Sequence, residues 1–371
     1  MKDPFRIMIV DDSAVIRGLL KRALESDPAV VVIASVSNGQ QALTTVVRHD
    51  VEIIVLDIEM PVMDGMTALP LLLKAKPGVQ VVMASTLTRQ NAEISLRAMA
   101  NGAADYVAKP TSTSEIHSAN AFKQELIGKI KALAEAGRNG RRQIAARASV
   151  SPKAGVTPRT ISVAPATEKL ELRAAPKQTV DVIAIGSSTG GPQALFEVLK
   201  NIGTDLKQPI LITQHMPATF TVLLAEHIAK ASNIPASEAK DGEAIQPGHI
   251  YVAPGEHHMT VERGETSNII KLNTNPPENF CRPAVDPMLR SMAKIYGSRM
   301  LIVILTGMGA DGQKGSAVAV DAGASVVAQD EATSVVLGMP GAVATAGLCS
   351  AVLPLPEIAT YVRKLAMRTA A

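Results

Sequence analysis

The sequence predicts an α/β protein made of two doubly wound parallel-sheet domains, the second a three-layer α/β unit with a small antiparallel excursion. Three observations carry that expectation. Short, β-branched apolar runs alternate with helical patterns through both halves. Acidic or serine-bearing turns follow several of these runs, where an open α/β sheet gathers its ligands. A stretch without sustained periodicity, Arg138 to Gln178, separates the halves.

In the first half, Arg6–Val10, Val30–Ala34, Ile53–Leu56, Val81–Ala84 and Asp105–Val107 read as buried strands. Helical patterns lie between them near Ala14–Ser26, Gln40–Arg48, Met66–Lys74 and Asn91–Asn101. A last helix, about Ser114 to Ala136, closes this unit. Arg138 to Gln178 is rich in Ala, Pro, Ser, Thr and Arg and has no aromatic residue, so an extended, mobile linker is expected there. From Val180 the alternation resumes. Val180–Ile185, Ile210–Thr213, Met300–Leu305 and Ala324–Ala328 read as core parallel strands. Helices are expected over Pro192–Asn201, Phe220–Ala231, Asp286–Tyr296, Gly312–Ala322 and Pro356–Met367. Between Ile245 and Leu272, short strands with Pro and Gly turns suggest the antiparallel excursion. The expected division is residues 1–122, then 123–178 for the closing helix and linker, then 179–371.

Composition narrows the function. The chain has 371 residues, 47% of them hydrophobic, but only four Tyr, five Phe and no Trp. The cores are therefore aliphatic, and aromatic platforms for single-stranded nucleic acid are lacking. The second half is α/β throughout and offers no basic recognition helix, so a transcription factor and a nucleic-acid partner are not expected. The linker carries nine Lys/Arg and two Asp/Glu, a net +7, while the whole chain is +3. The basic charge thus belongs to a solvated tether and not to a folded face. Cys281 and Cys349 are scattered and show no metal-ligand spacing, which suits free thiols in a reducing compartment. No apolar run reaches the roughly eighteen residues of a membrane span. A cytoplasmic protein, not inserted in the membrane, is expected.

The first constellation lies at strand ends. Asp11 and Asp12 follow the first strand and Asp57 the third. At about 4 Å and an effective dielectric of about 20, each carboxylate pair repels by on the order of 4 kcal/mol. A hard divalent cation relieves this, and Mg²⁺ suits few carboxylates with retained waters. Ser85 after the fourth strand offers a hydroxyl, and Lys109 after the fifth offers a fixed positive charge. A cis Lys109–Pro110 bond would aim that lysine inward. Nucleophile, metal, cation and hydroxyl together are the equipment of phosphoryl transfer. These residues, with Leu56-Asp57, Met60-Pro61, Asp64-Gly65 and Lys109-Pro110, resemble a response-regulator receiver domain over about Pro4 to Ala121. The resemblance implies that Asp57 accepts a phosphoryl group, that Asp11 and Asp12 join it in holding Mg²⁺, and that Lys109 contacts the phosphate. It makes Ser85 the switch hydroxyl, with Thr86 adjacent, and Tyr106 the switch aromatic.

The second constellation begins with Gly186-Ser187-Ser188-Thr189-Gly190-Gly191, between a strand and a helix. It satisfies Gly-x-Ser-x-Gly with Ser188 at its centre. The helix start offers backbone N–H groups to developing negative charge. A phosphate- or nucleotide-binding loop is the rival reading, but neither Gly-x-Gly-x-x-Gly nor a Walker Lys-Ser/Thr is present. Serine needs a base. His215 follows the strand Ile210–Thr213 and is the best placed of seven histidines. His257 and His258, in the excursion, are the alternatives. The base needs an orienting carboxylate, and Asp311 ends Thr306-Gly307-Met308-Gly309-Ala310-Asp311 after another core strand. Thr189 and the Met308 N–H are assigned to oxyanion and substrate support.

The motifs Ser-Thr-Gly-Gly at 188–191, Gln214-His215-Met216-Pro217, Ala253-Pro254-Gly255, Cys281-Arg282-Pro283-Ala284-Val285-Asp286, Gly307-Met308-Gly309-Ala310-Asp311-Gly312 and Gly338-Met339-Pro340 resemble the chemotaxis protein-glutamate methylesterases, in the family's order over about Asp181 to Lys364. The resemblance implies a triad of Ser188, His215 and Asp311. It implies glutamyl methyl esters on chemoreceptors as substrates, glutamine deamidation as a second activity, and a chemotaxis histidine kinase as phosphoryl donor. No cofactor is implied for the esterase chemistry. Asp57 phosphorylation would relieve a receiver that covers the Ser188 cleft. The long basic linker departs from the family pattern. An esterase or amidase acting on another protein, and a non-catalytic adaptor, are the remaining alternatives.

Overall fold

A computed structural model describes residues 3–86, 88–109, 116–148, 171–175 and 178–368. In the first half, β1 (Phe5–Val10), α1 (Ala14–Leu24), β2 (Val30–Val36), α2 (Gly39–Val46), β3 (Ile53–Asp57), α3 (Gly65–Ala75), β4 (Gln80–Ser85), α4 (Arg89–Ala100), β5 (Asp105–Ala108) and α5 (Ile116–Ala148) follow in turn. The strands form a parallel sheet in the order β2-β1-β3-β4-β5. Ile7–Val10 and Ile53–Leu56 are wholly buried, as strands covered on both faces must be. Ser13, Asn38, Asp64 and Thr88 each cap the helix they precede, their side chains accepting from an N–H three residues on.

α5 is longer than the sequence suggests. A linker was expected from Arg138, yet the helix runs to Ala148. Its Ala-, Arg- and Gln-rich composition favours helix. Arg138 is also anchored: its Nε and Nη2 donate to the two oxygens of buried Glu52, each at 2.7 Å, and its guanidinium lies 4.4 Å from the Phe5 ring centroid. Further along, residues 171–175 meet the second half, where Arg173 N–H donates to Cys349 O at 2.8 Å. The expected cis bond at Lys109–Pro110 lies outside the described residues.

In the second half come β6 (Val182–Ser187), α6 (Gly191–Asn201), β7 (Ile210–Gln214), α7 (Ala218–Ser232), β8 (Ala236–Glu238), β9 (Ile250–Val252), β10 (His258–Arg263), β11 (Asn268–Asn273), α8 (Val285–Tyr296), β12 (Met300–Ile304), α9 (Gln313–Asp321), β13 (Ser325–Gln329), α10 (Gly338–Thr345), β14 (Cys349–Leu353) and α11 (Leu355–Ala366). The main sheet is parallel, in the order β14-β13-β12-β6-β7-β9-β8. The antiparallel excursion is confined to β10 and β11, which pair His258 with Asn273 through Arg263 with Asn268. β9, expected within the excursion, belongs to the main sheet instead. β6 lies between β7 and β12, so the order in which successive strands join the sheet reverses there. The crevice at their carboxyl ends is the topological switch point.

The halves meet beside that crevice. α4 packs against α6 and α7. Tyr106 stacks on Phe220 of α7 with ring centroids 4.1 Å apart. Gln193 of α6 donates to Met99 O at 2.8 Å and also to Ala103 O. Arg89 meets Glu226 at 3.3 Å on the surface.

Arg138→Ala removes both prongs from Glu52 while leaving it the Arg6 contact. It is expected to destabilise the N-terminal unit by about 1–3 kcal/mol. Urea unfolding of the full chain checks this, and Arg138→Lys should recover only part of the loss.

Candidate active site

Ser188 directly follows β6, and its own N–H donates to Thr306 O, beyond the end of β12, at 3.0 Å. Two strand-end loops are thereby joined. Gly307 has no room for a side chain, because a Cβ there would lie 2.9 Å from Ser188 Cβ. Gly190 adopts φ +76° and starts α6 in the left-handed conformation that favours glycine. Buried Ser187 donates to Gln214 Oε1 at 2.7 Å, and Gln214 Nε2 donates to Ser188 O at 2.9 Å. The carbonyl side of the turn is thus held. Among the described residues, the N–H groups of Thr189 and Met308 donate to no protein acceptor. Both flank Ser188 and remain available to an anionic oxygen.

His215 continues the β6–β7 ladder, its N–H donating to Ser187 O at 3.2 Å. Its ring Nε2 lies 2.7 Å from Asp311 Oδ2. A carboxylate only accepts, so Nε2 carries the proton and Nδ1 is the basic nitrogen of the neutral ring. Nδ1 faces Cys281 Sγ at 3.4 Å. Among the described residues no hydrogen bond joins Ser188 Oγ to His215. The structure therefore brings His215 and Asp311 into contact and sets Ser188 at the neighbouring strand end. Burial alone would lower the proton affinity of His215, but the bond to Asp311 and the Cys281 contact outweigh it and raise that affinity.

Asp311 is 1% exposed. Burial opposes its ionisation, but His215 and the N–H groups of Val285 and Asp286 more than offset this and hold it ionised. Those N–H groups belong to the first turn of α8, whose N-cap, Ala284, has no side-chain acceptor. Asp311 takes that role from across the fold. Asn279 Nδ2 donates to Asp311 Oδ1 at 2.8 Å and to Asp286 Oδ2 at 3.0 Å. The alternative bases are otherwise engaged. His258 is buried between Pro276 O at 3.1 Å and the Ala284 N–H at 3.2 Å, and His257 Nδ1 lies 3.2 Å from Gly255 O. Cys281 and Asn279 were not singled out from sequence as site residues; the Cys-Arg-Pro-Ala-Val-Asp motif held the signal for the first.

The N-terminal cluster assembles at the carboxyl ends of β1, β3 and β5. Oxygens of Asp11, Asp12 and Asp57 lie within 4.8 Å of one another. Lys109 Nζ approaches Asp57 Oδ1 at 2.6 Å and Asp11 Oδ2 at 2.7 Å. Burial raises the proton affinity of Asp57; Lys109 opposes the shift and the Asp11 charge reinforces it. Three carboxylates against one ammonium leave the site short of positive charge, and its all-oxygen donor set fits a hard divalent cation. Ser85 Oγ lies 3.0 Å from Ser95 Oγ on α4, and Thr86 Oγ1 accepts from Asn91 at 2.7 Å. Both candidate switch hydroxyls are thus engaged with α4. Tyr106 is buried against Phe220, a placement across the domain boundary that the sequence does not reveal.

No described helix is long and apolar enough to cross a membrane. The family model described as CheB methylesterase matches residues 183–362, and that of the response regulator receiver domain matches residues 7–121. The chain is 57% identical to protein-glutamate methylesterase/protein-glutamine glutaminase 1 of Paramagnetospirillum magneticum, over 99% of this chain and 97% of that one. It is 58% identical to the group 2 operon protein-glutamate methylesterase/protein-glutamine glutaminase of Rhodospirillum centenum, over 100% and 96% of the two chains. The crystal structure of the Thermotoga maritima CheB methylesterase catalytic domain aligns with a TM-score of 0.49 at 39% identity, covering 51% of this chain and all of that one. Identity of this order along the full length means that the chain belongs to the protein-glutamate methylesterase/protein-glutamine glutaminase family, with a receiver domain preceding the methylesterase domain.

Proposed function

We propose that the chain demethylates glutamyl methyl esters on chemoreceptors, under control of phosphorylation at Asp57. The observation that supports the chemistry most is the 2.7 Å His215–Asp311 pair beside the Ser188 turn. Ser188 Oγ attacks the γ-carbonyl while His215 Nδ1 takes its proton. The Thr189 and Met308 N–H groups receive the developing oxyanion. His215 returns the proton to the departing methanol. Water, activated by the same base, then releases the glutamate and frees Ser188. With a glutamine substrate the leaving group is ammonia and the remaining steps are the same.

In the receiver, Asp57 takes a phosphoryl group from a chemotaxis histidine kinase, and Lys109 pairs with its oxygens. Asp11, Asp12 and Asp57 would hold Mg²⁺, which supplies charge neutralisation at the phosphoryl group when bound. Ser85 leaves Ser95 to meet the phosphoryl oxygens, and Tyr106 follows. That movement breaks the Tyr106–Phe220 stack and uncovers the crevice.

Ser188→Ala is expected to lower methanol release from methyl-labelled receptor membranes by roughly 10⁴-fold or more. Activity near that of the wild type would end the proposal. His215 must be neutral to act, and its proton affinity is raised. The acid limb of kcat/KM should therefore lie above the ordinary histidine value of about 6.5, with activity lost as pH falls through it. A pH–rate profile with its limb at or below that value contradicts the role given to Asp311. A chain starting at Thr179 should exceed the unphosphorylated full chain in methanol release, and Tyr106→Ala should raise the basal rate part of the way. Equal rates for the two chain lengths would sink the covering model.

A further inference from the structure

The ester belongs to a protein side chain, so neighbouring parts of the substrate come to rest on the rim of the Ser188 crevice. One rim segment is clamped to the catalytic groups from both sides. Asn279 reaches Asp311 at 2.8 Å, and Cys281 lies 3.4 Å from His215. Phe280 sits between these anchors with its ring fully exposed. The turn is closed by Glu278 N–H to Cys281 O at 3.1 Å and Cys281 N–H to Glu278 O at 2.9 Å. Arg290 of α8 holds Glu278 at 2.9 Å.

The backbone there is costly. Asn279 has φ +51° and Phe280 φ +63°, a left-handed pair with no glycine in it. A bulky residue at such a dihedral is a strained outlier that persists where the surroundings impose it, typically at functional sites. Glycine would fit the same turn without that strain. Neither backbone conformation nor apolar burial explains an aromatic ring held in water one residue from contacts to both His215 and Asp311.

We propose that Phe280 is a specificity-determining residue, packing on apolar side chains of the protein substrate beside the glutamyl ester. This rests on the esterase reading above. Met308 is exposed as well but less so, and its side chain meets α5: a Cβ on Gly128 would lie 3.3 Å from its Cε. Phe280 stays uncovered with the receiver docked, so its effect holds with and without phosphorylation.

The test compares the full-length wild type, Phe280→Gly and Phe280→Tyr. One assay is methanol release from methyl-labelled receptor membranes. The other is the labelling rate of Ser188 by a small alkyl fluorophosphonate. Phe280→Gly is expected to lower kcat/KM on receptors about ten- to hundred-fold, mainly through KM, in line with loss of one buried aromatic contact. Fluorophosphonate labelling should be unchanged, the thermal midpoint should not fall, and Phe280→Tyr should retain receptor activity. Equal losses in both assays would mean that the turn only positions His215 and Asp311. Undiminished receptor activity in Phe280→Gly would also overturn the proposal. A wild type that labels but releases no methanol would overturn the esterase reading, and this inference with it.

Discussion

A carboxylate that must stay charged while buried sets the terms for the catalytic half. Removing a lone carboxylate from water costs several kcal/mol. Asp311 meets that demand with five donors: His215, Asn279, and the N–H groups of Val285, Asp286 and Gly312. They come from the loop after β7, the 279 turn, the start of α8 and its own loop. Satisfying one charge therefore fixes four segments around Ser188. Asp286 is equally buried but, among the described residues, receives only the Gly315 N–H and Asn279. Burial accordingly raises its proton affinity, with the Asp311 charge adding to the effect. Of the two carboxylates that Asn279 bridges, Asp311 is the one favoured to stay ionised and hold the imidazole.

The receiver poses the same problem with the opposite balance. Asp57 has Lys109 at 2.6 Å and the Ile58 N–H at 2.7 Å, yet burial and Asp11 prevail and its proton affinity rises. One site is electrostatically complete as it stands. The other has a deficit of positive charge, which suits a place where a cation and a phosphoryl group arrive together.

What was legible in the sequence depends on local pattern. Asp57 ends a strand, and Lys109, Ser188, His215 and Asp311 each follow one; a strand followed by a turn leaves a readable trace. β8 and β9 leave almost none: each has three residues, beside Pro235 and Pro254. Arg138 lies in a stretch whose composition suits either helix or tether. Its contact with Glu52, 86 positions away, decides between them. The contact between Cys281 and His215 spans 66 positions, and that between Asn279 and Asp311 spans 32. The turn that brings them in uses left-handed Asn and Phe, so no glycine marks it. Phe220 reads only as a helix-core residue, because its partner, Tyr106, belongs to the other domain.

The placement of Tyr106 joins the two charge problems. Lys129 donates to Tyr106 O at 2.7 Å and lies 4.7 Å from the ring centroid, so the ring is held from below. Phe220 covers it from α7, which begins three residues after His215. Ser85, at the carboxyl end of β4, touches Ser95 on α4, and α4 packs on both α6 and α7. Each directional contact across the boundary is modest. An aromatic pair contributes about 0.5–1.5 kcal/mol beyond its buried area. The exposed Arg89–Glu226 pair contributes about 1 kcal/mol or less. An interface of this kind suits a switch, because a cover held by stronger contacts would not respond to the roughly two charges that a phosphoryl group adds. The short path from Asp57 to α7 makes the proposed control a matter of shifting two packed helices, with the charge network around Asp311 left intact.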